Sequence, residues 1–184
     1  MKKPDFPIRP EVFWSVFSAN LRAEWKNPRK KVSSLYNSKS EWTQYIIEFL
    51  DTLSTKFGCI SDIEYWPRVD VGYFDRMGDN WADWSWEAAI EHENGLHWHE
   101  EICKLLTINA GLKVLIAYSD SKEEHQGILK RFIQIHRSRK YYTIHCGWLF
   151  IIGPRQIPAN KDFDAFKFDR NQIVEITDGI KTLL

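Results

Sequence analysis

At 184 residues, with 43% hydrophobic and 27% charged residues, the chain has the length and composition of one globular domain and not of a disordered segment. Lysine plus arginine and aspartate plus glutamate stand at 25 each, so whole-chain charge attracts no polyanion, and a nucleic-acid surface would need its basic residues gathered on one face. The cysteines, Cys59, Cys103 and Cys146, form no CxxC pair, which excludes a disulfide framework and a zinc ribbon.

The first residues, Met1-Lys-Lys-Pro-Asp-Phe, do not read as a signal peptide. No apolar run approaches the ~20 residues that span a bilayer. The expectation is a cytoplasmic protein of one domain, with no membrane contact. Residues 1–40 form an N-terminal arm with a helix, 41–118 the core, and 119–184 a C-terminal helix and strands.

In chain order, Glu11 to Trp25 follows Pro10 as a short helix that Asn27-Pro28 stops, and the basic stretch Arg29-Lys30-Lys31 comes next. Ser40 is read as the N-cap of a helix in which Trp42, Tyr45, Ile46, Phe49, Leu50 and Leu53 recur at helical spacing until Gly58. Three strands are then expected: Ile60 to Trp66, Val69 to Phe74, and Trp86 to Glu93. Pro67-Arg68 turns the first into the second, and an acidic, Trp-containing loop separates the second from the third.

Asn94-Gly95 closes the third strand, and a helix runs from about Trp98 to Asn109. Lys113 to Tyr118 is nearly continuous in apolar residues, as a strand buried on both faces should be. Ser121 caps a further helix to about His136, Tyr141 to Ile152 reads as a strand, and Gln172 to Thr177 as a last one. A meander of three strands, then a crossover helix to a buried fourth, implies a mixed central sheet flanked by helices on both faces. Five of the nine tryptophans fall between Trp66 and Trp98, either as core and loop anchors or as a stacking surface for bases.

Strand alternation turns spacing into geometry. Asp70, Gly72 and Phe74 share one face of their strand, and Glu87, Ala89, Glu91 and Glu93 share one face of theirs. A hairpin can therefore set Asp70 beside Glu91 and Glu93 at the ~5 Å spacing of neighbouring strands. Acids at alternate positions also describe an ordinary solvated sheet face. A sheet covered on both sides favours a site, because an acid there needs a partner. Clustered carboxylates raise one another's pKa unless a cation neutralises them, and Mg²⁺ or Mn²⁺ takes oxygen ligands while keeping waters for chemistry.

The order helix, strand with Asp, strand with Glu, helix, apolar strand resembles the PD-(D/E)XK nuclease superfamily, whose restriction-endonuclease-like core is αβββαβ. Arg68-Val-Asp70 falls at its Asp position and Ile90-Glu91-His92-Glu93 at its Glu-x-Lys position. The resemblance implies metal-dependent hydrolysis of phosphodiesters in DNA or RNA, with Mg²⁺ or Mn²⁺ held by Asp70, Glu91 and the backbone carbonyl of His92. Glu48 is the best match for the acid of the preceding helix. Glu93 stands where the family usually has lysine, as a general base or a further ligand.

The helix lysine Lys104, three residues after Glu101, is the candidate replacement for that lysine, although the two also make an ordinary surface ion pair. The other reading from the same residues is a non-catalytic nucleic-acid- or protein-binding module on a decayed nuclease fold.

Three further features compete for attention. His99 and Cys103 at helical i, i+4 spacing could hold zinc, but no structural-finger pattern surrounds them. Arg131, Arg137, Arg139 and Lys140, followed by Tyr141 and Tyr142, could join Arg29 to Lys31 in a phosphate-contacting rim, or simply end a solvated helix. A homodimer would suit the cutting of two strands, yet no residue argues for one. P-loop, GxGxxG and GxSxG elements are absent from the sequence.

Overall fold

The computed structural model describes residues 8–27, 29, 32–65, 69–75, 85–138, 146–155, 163–169 and 172–177. The Pro67-Arg68 turn, most of the Trp-containing loop, Lys30-Lys31, and Arg139 to Tyr142 lie outside them, as does the beginning of the strand expected from Tyr141.

Pro10 opens α1 (Pro10–Lys26), where its fixed φ suits the first helical turn and its missing N–H costs nothing. After the single turn α2 (Val32–Leu35), α3 (Lys39–Ser54) is capped by Ser38, whose hydroxyl accepts the Glu41 amide. The cap thus lies two residues before the expected Ser40, and Ser38-Lys-Ser-Glu41 is the capping-box spacing. A 3-10 turn follows and ends at Gly58, whose φ of 69° lies in the left-handed region that glycine occupies without strain.

The strands are β1 (Ile60–Tyr65), β2 (Val69–Asp75), β3 (Ser85–Glu93), β4 (Leu112–Ser119), β5 (Gly147–Pro154), β6 (Asp164–Asp169) and β7 (Gln172–Glu175). They form one sheet of seven strands in sequence order. β1, β2 and β3 are antiparallel, as the expected meander requires. α4 (Trp98–Thr107) and α5 (Lys122–Ser138) make the crossovers that allow β3, β4 and β5 to run parallel. β6 and β7 return antiparallel. β6 has no counterpart among the expected strands.

The fold is therefore mixed α/β, with a core on each face of the sheet. On one face Phe13, Phe17 and Leu21 of α1 and Ile46, Leu50 and Leu53 of α3 pack on Val71, Tyr73, Ile90, Val114 and Ile116. On the other, Ile102, Leu105 and Leu106 of α4 and Ile128, Leu129 and Phe132 of α5 pack on Ala89, Leu115, Ala117 and Phe150. β4 is buried along its whole length, Lys113 and Ser119 included, as its nearly continuous apolar run foretells. No helix among the described residues is long and apolar enough to cross a membrane.

Candidate active site

The site lies where β2 and β3 part company. Their last paired residues at this end are Val71 and Ile90, and one step further the register sets Asp70 opposite Glu91. There the Asp70 side chain takes over from the ladder, accepting the His92 amide at 2.7 Å through Oδ2. Burial raises the Asp70 pKa, and the His92 amide and Lys104 charge oppose that rise.

Glu91 points to the α4 side of the sheet with its neighbour-but-one Ala89, and its side chain is only 1% exposed. The Lys104 ammonium, reaching in from α4, stands 2.9 Å from Glu91 Oε1. It also stands 2.5 Å from Glu101 Oε2. The Glu91 carboxyl is also in side-chain hydrogen-bond contact with Asp70, a contact that lowers the Asp70 pKa. Burial, followed by the charges of Asp70 and Glu101, pushes the Glu91 pKa up to about 9, against the pull of Lys104. A carboxyl so placed holds its proton at neutral pH until a cation replaces it.

The expected trio is thus regrouped. Asp70 and Glu91 come together, and Lys104, the helix lysine that the family resemblance offered, stands beside Glu91 and Glu101. The third acid is Glu101 and not Glu93, since Glu101 is the carboxylate whose charge bears on both Asp70 and Glu91. Glu93 turns instead to the Asn94-Gly95 turn, where its carboxylate accepts the Gly95 amide. Glu48 sits exposed on α3, holding the side-chain amide of Gln44 at 3.0 Å, and α3 packs on the opposite face of the sheet from α4. Glu48 is therefore not brought to the site.

His92 divides its functions between the two faces. Its amide serves Asp70, while its ring packs against Tyr118 on the α3 side, with Nε2 2.9 Å from the Tyr118 hydroxyl. That hydroxyl accepts the Trp42 indole N–H at 2.5 Å. Indole donates only, so the buried, protonated Tyr118 hydroxyl accepts from Trp42 and shares a further hydrogen bond with Nε2 of the imidazole, whose Nδ1 is buried without a hydrogen-bond partner among the described residues. Burial depresses the His92 pKa to about 3. The ring is accordingly a neutral structural partner of Tyr118, and only the backbone of this residue belongs to the site.

The side-chain donors that the structure brings together for a metal are the Asp70 and Glu91 carboxylates, to which the family resemblance would add the His92 carbonyl, all oxygen. Among the described residues no group of three or more His, Cys, Asp or Glu side chains is placed to hold an ion. Two carboxylates with a carbonyl and waters suit Mg²⁺, which keeps much of its hydration and takes one or two protein carboxylates. A hard cation would replace the proton that Asp70 and the raised-pKa Glu91 share, and two carboxylates fit Mg²⁺ or Mn²⁺. A zinc site at His99 and Cys103 finds no such support, since His99 Nε2 faces Glu100 at 3.8 Å on an exposed helix start. Comparison with protein-family profiles, with curated proteins and with solved structures found no match.

Proposed function

We propose that the chain is a cytoplasmic, divalent-metal-dependent phosphodiesterase of the PD-(D/E)XK type, acting on DNA or RNA. The observation that carries this reading is the buried Asp70–Glu91 pair with Lys104 against it, at the end of two adjacent strands. The run α3, β1, β2, β3, α4, β4, with an antiparallel meander and a parallel β3–β4 pair, supports the restriction-endonuclease-like core.

Asp70 and Glu91 would hold Mg²⁺ or Mn²⁺, with the His92 carbonyl beside them. A divalent ion so bound lowers the pKa of a coordinated water and stabilises charge on a phosphate oxygen. Lys104, on a flexible stem within reach of Glu91, takes the place of the strand lysine that Glu93 displaces. Its ammonium orients the attacking water and steadies the negative charge that develops on the phosphate. Once ionised, Asp70, Glu91 and Glu101 against Lys104 leave a formal excess of two negative charges among these residues, which one divalent ion balances.

The second reading, a binding module on a fold that has lost its chemistry, is favoured by one observation: Glu91 is already neutralised from within, by Lys104 and by its raised pKa. Incubation with Mn²⁺ and labelled single-stranded DNA, duplex DNA and RNA separates the two. Cleavage of one of these, stopped by chelator and absent in Asp70→Ala and Glu91→Ala, is the expected result. Cleavage at the wild-type rate in both variants, or none by the wild type, would overturn the enzymatic reading.

A further inference from the structure

We propose that Glu101 is a positioning residue of this site, holding the Lys104 ammonium in the gap between α4 and Glu91. This rests on the reading of Asp70, Glu91 and Lys104 as the working groups. Glu100 and Glu101 occupy the same first turn of α4, where either carboxylate would suit the helix dipole. They are used differently. Glu100 is 64% exposed and faces His97, whereas Glu101 is 19% exposed and lies 2.5 Å from Lys104.

The stem of Lys104 is long, rotamer-rich and 28% exposed, so a single contact with Glu91 would leave the ammonium poorly fixed. A second anion one helical turn earlier gives it two points of attachment. The same contact keeps the ammonium from settling wholly onto Glu91 and Asp70, the oxygens that a metal ion needs. Asp70 already feels the Lys104 charge, so that collapse is the nearest alternative. Glu101 thus sets both where the lysine acts and how strongly it competes with the ion.

Two measurements on the intact chain test this. In the metal-free protein, the ¹⁵N-resolved ammonium resonance of Lys104 is expected in the wild type and lost to fast exchange in Glu101→Gln, with the amide spectrum otherwise preserved. An unchanged ammonium resonance in Glu101→Gln overturns the proposal, whatever the fate of the metal reading. The second measurement is a cycle of Mn²⁺ affinities by calorimetry. Glu101→Gln is expected to weaken binding about tenfold when Lys104 is present, and less than about twofold in a Lys104→Met background. Equal losses in both backgrounds would make Glu101 a mere contributor of charge and sink the positioning role. A wild type that binds no Mn²⁺ would remove the metal reading alone, and the resonance test would still decide for or against Glu101.

Discussion

Glu91 is the residue on which structure and chemistry disagree most. Its carboxyl is buried, and its folded pKa of about 9 lies far above the ordinary 4.5. A group raised in this way favours folding fully below its unfolded pKa, and that contribution is lost as pH rises through the folded value. Wild-type stability should therefore fall between about pH 5 and 9 relative to Glu91→Gln, which carries no titrating proton. Urea unfolding at pH 5 and pH 8.5 checks this; parallel pH profiles for the two proteins would contradict it. Lys104 keeps Glu101 as its partner in Glu91→Gln, so the substitution strands no charge.

His92 carries the opposite sign. Its folded pKa of about 3 lies below the ordinary 6.5, so the unfolded chain binds the extra proton. Stability should fall as pH drops from 6.5 toward 3, and His92→Gln, whose side-chain amide can still hydrogen-bond the Tyr118 hydroxyl, should show a shallower fall. Tyr118→Phe leaves the Trp42 indole N–H and a ring nitrogen of His92 unpaired in the core. A loss of about 1–3 kcal/mol in urea unfolding is expected.

At the scale of elements, the site depends on α4 meeting β3. Ile102 is fully buried under α4, one residue from Glu101 and two from Lys104. Ile102→Ala should cost about 2–5 kcal/mol, measured by chemical denaturation, because the cavity opens between helix and sheet. A loss below ~1 kcal/mol would mean that α4 is held chiefly by its ends.

This junction also marks the limit of what the sequence discloses. Alternation in β2 and β3 was enough to put Asp70, Glu91 and Glu93 on one face, and the helix before the apolar run of β4 was enough to suggest a crossover; the register that sets Asp70 opposite Glu91 is structural. Glu93 obeyed the same alternation, yet lies where β3 gives way to a turn, and the nearby Gly95 amide claimed it. Glu101 was visible only as the helical neighbour of Lys104. Its approach to Glu91 is a tertiary fact, set by how α4 packs. Glu48 has helical periodicity in its favour, but periodicity does not say which face of the sheet a helix covers. β6, Asp-Ala-Phe-Lys-Phe-Asp, is short and partly exposed, and its pairing with β5 supplies order that its composition does not announce.

For the molecule as a whole, the sheet divides labour between its faces. The α1–α3 face is closed by aromatic packing and by the Trp42–Tyr118–His92 chain of hydrogen bonds. The α4 face carries the carboxylates and the lysine, at the end of the sheet where β2 and β3 separate. On the proposed nuclease reading, zero net charge leaves attraction of a nucleic acid to local surface, so any such affinity should depend on particular basic residues and fall steeply with salt.

Asp70 and Glu91 are the proposed site for a hard divalent cation. Melting temperatures of wild type and Asp70→Ala, each with millimolar Mn²⁺ and with chelator, test it most directly, because an ion that binds only the folded state raises the midpoint. A rise of several degrees in the wild type that is absent in Asp70→Ala is the expected result. An unmoved wild type, or an equal rise in both proteins, would contradict it.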